Sequence, residues 1–499
     1  MSNGSSEIGA IAKGASINFA GAIFRSVLGL LFVLILSRLL PSSDVGIFFL
    51  GLNVISIAML FSLGGLDTAL QRYIAISIVD KDARETWRYL VSALYIIIPA
   101  LIVTSIFIYV FSDIISSDIY KKPELKEVLV YFIPYLVFMS MAQLLLSVTQ
   151  GFKKMQYKVI AIDLVNNGLK ILFLYLMWLA GMQLFAGVLG NTLAILIAMI
   201  MGVVFVFKIM PPLPEKLKGG YAGKILSFSM PVAVARLLTS GNGLVEILIS
   251  GYFLTASDIG VYAVAIKIVA VGLIVLSSFN IMFSPVISQL HSQQKLAELK
   301  ALFSSVTRWV FVISAPVFVL MSWFSLSLTE IFGSEYTAGA FSIFILAAGQ
   351  LFNTLTGPAG NILLMSGYTL TNLAINAVGL FLSITLNILL VPEYGIEGSA
   401  IAVSLSLFAM NVGRVYLAWK YIGIHPYDIN YFKPVIAIGL VILALIASGF
   451  GYDESYGIGP LVLLVSASMC LYCVLIYAFG LNEDDKYILE RIASRFKRN

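Results

Sequence analysis

Apolar runs of about 18 to 25 residues follow one another along this chain with little polar sequence between them, and each is long enough to cross a hydrocarbon layer as a helix. They fall near 17–39, 45–64, 89–112, 128–148, 160–180, 184–208, 226–253, 259–286, 303–326, 338–362, 369–391, 398–418, 434–449 and 458–480. None shows the period-two alternation of a barrel strand, so backbone hydrogen bonds must close within each segment. With 60% hydrophobic residues, 11% charged residues and a mean hydropathy of +0.98, water cannot be the solvent for most of the surface. The expected fold class is all-α, a polytopic membrane protein of about fourteen transmembrane helices. The first run, Ile17 to Leu39, is too long for a signal peptide and lacks a small-residue cleavage site, so it should stay as a span.

The lysines and arginines between the runs give the orientation. On the side of the N-terminus stand 22 cations, among them Arg72, Lys81, Arg84, Arg88, Lys153, Lys154, Lys158, Lys216, Lys218, Lys224, Lys295 and the C-terminal Lys486, Arg491, Arg495, Lys497 and Arg498. The opposite side has Arg38, Lys121, Lys122 and Lys126. Positive loops face the cytoplasm, so both termini are expected there, in the cell membrane, and the net charge of +5 implies no nucleic acid.

An internal duplication is visible. Ser37 to Phe48 reads S-R-L-L-P-S-S-D-V-G-I-F, and 214 residues later Gly251 to Tyr262 reads G-Y-F-L-T-A-S-D-I-G-V-Y. Each stretch falls at an outer turn between the first and second helix of a set, where Ser and Asp cap the next helix and Gly permits close approach. A second echo, Thr149-Gln150-Gly151 against Met365-Ser366-Gly367, comes at an offset of 216. The expected organisation is an N-lobe over 1–210, a cytoplasmic linker over 211–225, a C-lobe over 226–423, and two extra helices with a cytoplasmic tail over 424–499. Six helices per lobe make the copies parallel, related by an axis along the membrane normal.

Five cations remain inside the runs: Arg25, Lys170, Arg236, Lys267 and Arg414. Facing lipid, each would cost about 2.5 to 3.5 kcal/mol at a helix centre, so they require water, a partner or an anionic ligand. Arg414 lies close enough to the cytoplasmic edge to snorkel. Lys170 either lines a cavity or pairs with Asp163, two turns away. Arg25 and Arg236 occupy comparable positions on the first helix of each lobe and are the expected pair for a cationic, substrate-binding site near the midplane, with Lys170 and Lys267 beside them. Guanidinium is shaped for bidentate contact with phosphate or carboxylate oxygens.

Glu246 and Asp163, with Asp67 near a cytoplasmic end, are the coupling-ion candidates; the proton occupancy of Glu246 would answer to pH and ligand together. Asn166, Asn167, Asn242, Gln350, Asn353 and Asn376 either line the same cavity or bond between helices. Cys470 and Cys473 form a C-x-x-C inside the last run; with only His291 and His425 as further ligand types they read as small apolar residues. No Gly-rich phosphate loop with a following Lys-Ser/Thr occurs, no catalytic constellation stands out, and neither a cofactor nor a metal is expected. Glu483-Asp484-Asp485 and the basic end from Arg495 to Arg498 read as a solvated tail.

The segments G-A-I-F-R-S-V-L-G-L-L-F-V-L-I-L-S-R-L-L-P-S-S-D-V-G-I-F-F-L, G-L-D-T-A-L-Q-R-Y-I-A from Gly65 to Ala75, and E-Y-G-I-E-G-S-A-I-A from Glu393 to Ala402 carry a family likeness. Over essentially the whole chain the sequence resembles the O-antigen-type (Wzx-like) polysaccharide-biosynthesis flippases of the multidrug/oligosaccharidyl-lipid/polysaccharide (MOP) superfamily. The resemblance implies a MATE-like, V-shaped pair of six-helix bundles working by alternating access. It also implies a polyprenyl-diphosphate-linked oligosaccharide as substrate, an ion gradient as driving force, and membrane lipids and glycan polymerase or ligase machinery as partners. Lipid II flippases are the nearest sibling, and the drug-exporting branch is the runner-up. A membrane glycosyltransferase or ligase would need a larger outer loop than Ser112 to Glu127.

Overall fold

The computed structural model describes residues 2–79, 83–212, 220–427 and 431–480. Several sequence features lie outside them: the middle of the expected linker, 213–219 with Lys216 and Lys218, the cation Lys81, the side chains of Lys13 and Asn242, and the tail from 481 with Glu483-Asp484-Asp485, Lys486 and Arg491 to Arg498.

Among the described residues the regular structure is entirely helical, without a strand. The longer helices are α1 (Ser2–Leu39), α2 (Ser42–Leu63), α3 (Leu66–Val79), α4 (Ala83–Asp113), α5 (Glu124–Gly151), α6 (Gln156–Leu179), α7 (Leu184–Ile209), α8 (Ala222–Phe253), α9 (Ala256–Ser292), α10 (Leu296–Trp323), α11 (Ala340–Thr356), α12 (Thr369–Ile422), α13 (Phe432–Ala447) and α14 (Ile458–Ala478), with the short helices Ser325–Glu330 before α11 and Ala359–Met365 before α12. Twelve helical stretches among the described residues are long and apolar enough to cross a membrane. One of them, α12, contains Gly395 at φ 58° and ψ −135°, where an α-helix cannot continue, so the expected eleventh and twelfth runs are its two arms. The expected thirteenth is α13, whose 16 residues fall short of a straight hydrocarbon crossing.

Two local features depart from the pattern of apolar runs. The stretch 66–79, expected as part of a connection, is the helix α3; Gly64 and Gly65, both in left-handed backbone at φ 48° and 72°, end α2 and let the chain start again at a new angle. The outer connection after α4 continues as a π-helix over Ile114–Ile119.

The chain divides into two compact units, Met1–Lys267 with Leu380–Ala402, and Ile268–Gly379 with Val403–Asn499. In the first, α5, α6 and α7 share a core of Ala142, Leu146, Ala161, Ile162, Ile195 and Ala198. Small residues there let helices approach closely, as interfaces in lipid require. On the outside of the same unit α4 turns Tyr95, Val103, Ile106 and Tyr109 outward, an apolar surface suited to acyl chains and not to water. In the second unit α13 and α14 pack on α10 through Phe311, Ala315, Val441, Leu445 and Leu461, and Tyr472 donates its hydroxyl to the Val312 carbonyl at 3.0 Å. Cys470 and Cys473 are exposed free thiols on α14.

Candidate anion-binding site

The first unit gathers seven of the charged residues expected at the site. They form two levels. The lower level begins with the G-A-I-F-R segment of α1, where Gly21 and Arg25 stand one turn apart on one face. A Cβ at Gly21 would lie 2.7 Å from both Asp163 Oδ2 and Val159 Cγ1, so only glycine lets α1 press against α6 here. Asp163 itself sits in a π-helical stretch, Val159–Asn166, which widens α6 locally. Asn167 donates from Nδ2 to the Ile162 and Asp163 carbonyls at 2.8 and 3.2 Å. Arg25 Nη1 then donates to Asp163 Oδ1 at 3.2 Å. With 57% of its side chain exposed, Arg25 keeps donors available for a further anion, whereas Asp163 at 8% does not.

Asp67 occupies the first turn of α3, where the helix dipole favours a carboxylate. A Cβ at Gly65 would meet the Ser229 carbonyl of α8 at 2.7 Å, so the two backbones touch just below. Two turns along α8, Arg236 donates from Nη1 and Nη2 to the two Asp67 oxygens, both at 2.8 Å, and from Nη2 to Thr68 Oγ1 at 2.8 Å. This is the two-pronged geometry that a guanidinium forms with a carboxylate or a phosphate. Lys158, at the start of α6, feels the charge of Asp67, Asp163, Arg25 and Arg236 together. The lower level is therefore one network of three cations and two carboxylates.

The upper level lies deeper in the span. Lys170 is twelve residues beyond Lys158 on α6, about 18 Å along a helix rising about 1.5 Å per residue. Its Nζ stands 4.8 Å from the ring centre of Phe32, two turns beyond Arg25 on α1. Lys267 of α9 places its Nζ 5.8 Å from the ring centre of Phe49, and the two lysines feel each other's charge. Glu246, buried in α8, lies within the field of Lys267. Among the described residues neither lysine reaches a carboxylate within ion-pair distance.

This arrangement corrects the sequence expectation in three places. Arg25 and Arg236 are not uncompensated, because each holds a carboxylate; the cations without one are the lysines. Asp163, offered as a partner for Lys170, is taken by Arg25. Lys158, counted among the loop cations, belongs to the network.

Arg414, in the second unit, does not snorkel. It donates from Nη1 to Asn411 Oδ1 at 3.0 Å and from Nη2 to Asn376 Oδ1 at 2.8 Å, with its Nε against Gly360. Asn411 passes the chain on to Asn353 at 3.0 Å, and Asn353 to Gln350 at 2.9 Å. Of the amides that stood open between cavity and interhelical bonding, Gln350, Asn353 and Asn376 are thus bonded in this chain, and its Asn411–Asn353 link joins α12 to α11. Asn376→Leu should cost about 1.5 to 3 kcal/mol, the range for a hydrogen bond to a charged group, read as a lower unfolding temperature in detergent.

The sequence pattern of the family described as "Polysaccharide biosynthesis protein" matches residues 11–291, more than half of the chain. The chain belongs to that family. The pattern of the MatE family also matches, over residues 231–389. The chain is 25% identical over 167 residues to a probable low-salt glycan biosynthesis flippase of Haloferax volcanii, a match covering 33% of the chain and 35% of that relative. It is 23% identical over 427 residues to a capsular polysaccharide biosynthesis protein of Staphylococcus aureus, covering 81% of the chain and 98% of the relative. Among solved structures, a lipid II flippase in an inward closed conformation superposes with a TM-score of 0.76 at 15% identity, covering 93% of this chain and 98% of that one. At that identity the likeness speaks for fold alone. The protein is thus an all-α, multi-pass membrane protein with the MATE-like fold.

Proposed function

We propose that this protein flips a polyprenyl-diphosphate-linked oligosaccharide from the cytoplasmic to the outer leaflet of the cell membrane by alternating access, coupled to an ion gradient, with both termini in the cytoplasm. The observation that carries the reading is a charge imbalance. Within one compact unit Arg25, Lys158, Lys170, Arg236 and Lys267 face only Asp67, Asp163 and Glu246, leaving two formal positive charges over. Charges inside a span are costly unless they meet an opposite charge, and a diphosphate supplies it. A cavity for cationic drugs would need the opposite balance. The levels suggest an order of events: the exposed Arg25 and the half-buried Lys158 meet the headgroup first, and Lys170 and Lys267 receive it deeper in the span. Glu246, next to Lys267, is the favoured group for coupling, and Asp163 and Asp67 serve chiefly to hold the arginines.

The family and the Staphylococcus relative support the polysaccharide precursor as cargo, with polymerase or ligase enzymes as downstream partners. Deleting the gene should abolish surface glycan while the lipid-linked precursor accumulates in the cytoplasmic leaflet. Unchanged glycan with an unchanged precursor pool would end this reading, and heightened drug sensitivity alone would assign the protein to the exporting branch.

A further inference from the structure

The second unit encloses a cavity that the anion site does not use. Its volume is about 750 Å³, within the range of about 300 to 1,000 Å³ that holds a small ligand. The walls come from α10, α11, α13 and the loop after α13, all within that unit. On α11 the lining residues are Ala340, Phe341, Phe344, Ala348 and Leu351, positions that share one face of a helix. From Ala340 to Leu351 the helix rises about 16 Å, half of a hydrocarbon core of about 30 Å. Val319 of α10 and Ile442 of α13 complete the apolar lining. With 16 residues, or about 24 Å, α13 is shorter than that core, and a bilayer accommodates a short helix by bringing lipid to the space beside its end.

The polar groups gather at one end. Trp323 closes α10, and Tyr452 and Asp453 belong to the loop after α13. With the N-terminus in the cytoplasm, α10 ends and α11 begins at the outer face, so this is the outer interface and Leu351 lies near the middle of the membrane. Three features there favour a cation. Asp453 is exposed and has no ion-pair partner among the described residues. The rings of Trp323 and Tyr452 meet edge to face with centres 6.0 Å apart, and the faces of such rings attract ammonium groups. The last turn of α10 carries the negative end of a helix dipole and holds no basic residue against it. Among the described residues no lysine or arginine lines the cavity. The indole Nε1 of Trp323 is buried and makes no hydrogen bond, which leaves a donor for an ester or phosphate oxygen. A cation site with a donor beside it, above an apolar slot one leaflet deep, matches the order of groups in a lipid whose head ends in an ammonium. A diphosphate-linked carrier has the opposite head charge, and Asp453 would repel it.

We propose that the cavity between α10, α11 and α13 binds an aminolipid of the outer leaflet, a lipid with a protonated amine in its headgroup. The ammonium pairs with Asp453 and lies against the Trp323 and Tyr452 rings, Trp323 Nε1 donates to an oxygen of the head, and one chain runs down α11 past Phe344 to Leu351. The lipid fills the space beside the short α13 and holds that helix to α10 and α11. It is a resident of the second unit and not the cargo, whose charge calls for the cations of the first.

The test titrates the purified full chain in detergent with phosphatidylethanolamine brominated along its chains and follows the quenching of tryptophan fluorescence. A Trp323→Phe chain identifies the part of the quenching that arises in this cavity. That part should saturate, with an affinity for the aminolipid at least tenfold above that for equally brominated phosphatidylglycerol. Asp453→Asn should weaken aminolipid binding at least fivefold, and Asp453→Lys should turn the preference toward phosphatidylglycerol. Both changes fall on an exposed loop residue, so the unfolding temperature should stay that of the parent. Equal affinities for the two lipids would overturn the proposal, as would an Asp453→Asn chain that binds as before or quenching that Trp323→Phe leaves intact. Brominated diacylglycerol binding as tightly as the aminolipid would overturn it too, since the cavity would then select only for an apolar chain. The titration contains no cargo, so the lipid preference and the loss of glycan on gene deletion stand or fall separately.

Discussion

Replacing Lys170 and Lys267 together by Met should leave a well-folded protein that has lost export by at least 100-fold. The two consequences have opposite physical origins. For stability, each lysine is a cation inside a span with no ion-pair partner among the described residues; Lys170 feels the like charge of Lys267, and Lys267 feels the opposite charge of Glu246 only at a distance. Removing such a group relieves a cost of about 2.5 to 3.5 kcal/mol at the span centre, and Met keeps the unbranched stem that packs on Phe32 and Phe49. For function, the pair's two charges equal the whole surplus of positive charge in the site. A charge-assisted hydrogen bond is worth about 1.5 to 3 kcal/mol, so two lost contacts to a diphosphate amount to roughly 3 to 6 kcal/mol. That corresponds to a factor of about 100 or more. Surface glycan and precursor pool give the export, and thermal unfolding in detergent gives the stability. A folded double variant exporting at the normal rate would remove the lysines from the site. A variant that unfolds would make them structural.

How much of this was legible in the sequence follows from the range of each interaction. Hydrophobic runs are local, so the helices and their class could be read directly, with ends within a few residues: Leu39 as read, Gly151 against 148 and Ile209 against 208. The helix α3 was missed because it is amphipathic and short, and the run of apolar residues ends where it begins, at Gly64-Gly65. Which intramembrane groups carry charge was also plain. Their pairing was not, because Arg25 meets a carboxylate 138 residues away and Arg236 one 169 residues away, and nothing in a single sequence couples such positions. A local hint did exist. Gly21 one turn before Arg25 and Gly65 two residues before Asp67 each mark a place where helices touch, and the charged neighbours of such glycines are candidates for pairing across the contact. The glycines of the repeated turn were recognised as sites of close approach, while their partner proved to be the other copy of the same motif.

Asp67→Asn alone should be more damaging to the folded protein than Asp67→Asn combined with Arg236→Gln. In the single variant the guanidinium keeps Thr68 but loses both carboxylate oxygens, and a charge left behind in a low-dielectric span is the expensive outcome. The expected cost is about 3 kcal/mol, the lower end for a buried pair that loses one partner. The lower end applies because 33% of the Arg236 side chain is exposed. In the double variant no charge is stranded, the two amides can bond to each other and to Thr68, and stability should return to within about 1 kcal/mol of the parent. Export separates two views of the site. If Arg236 itself grips the headgroup, the double variant exports poorly although it folds. If the surplus of positive charge is what receives the headgroup, removing one cation with one carboxylate leaves that surplus untouched, and export persists within a factor of a few. The charge balance favours the second result: Arg236 spends both nitrogens on Asp67, while Lys170 and Lys267 spend none on a carboxylate.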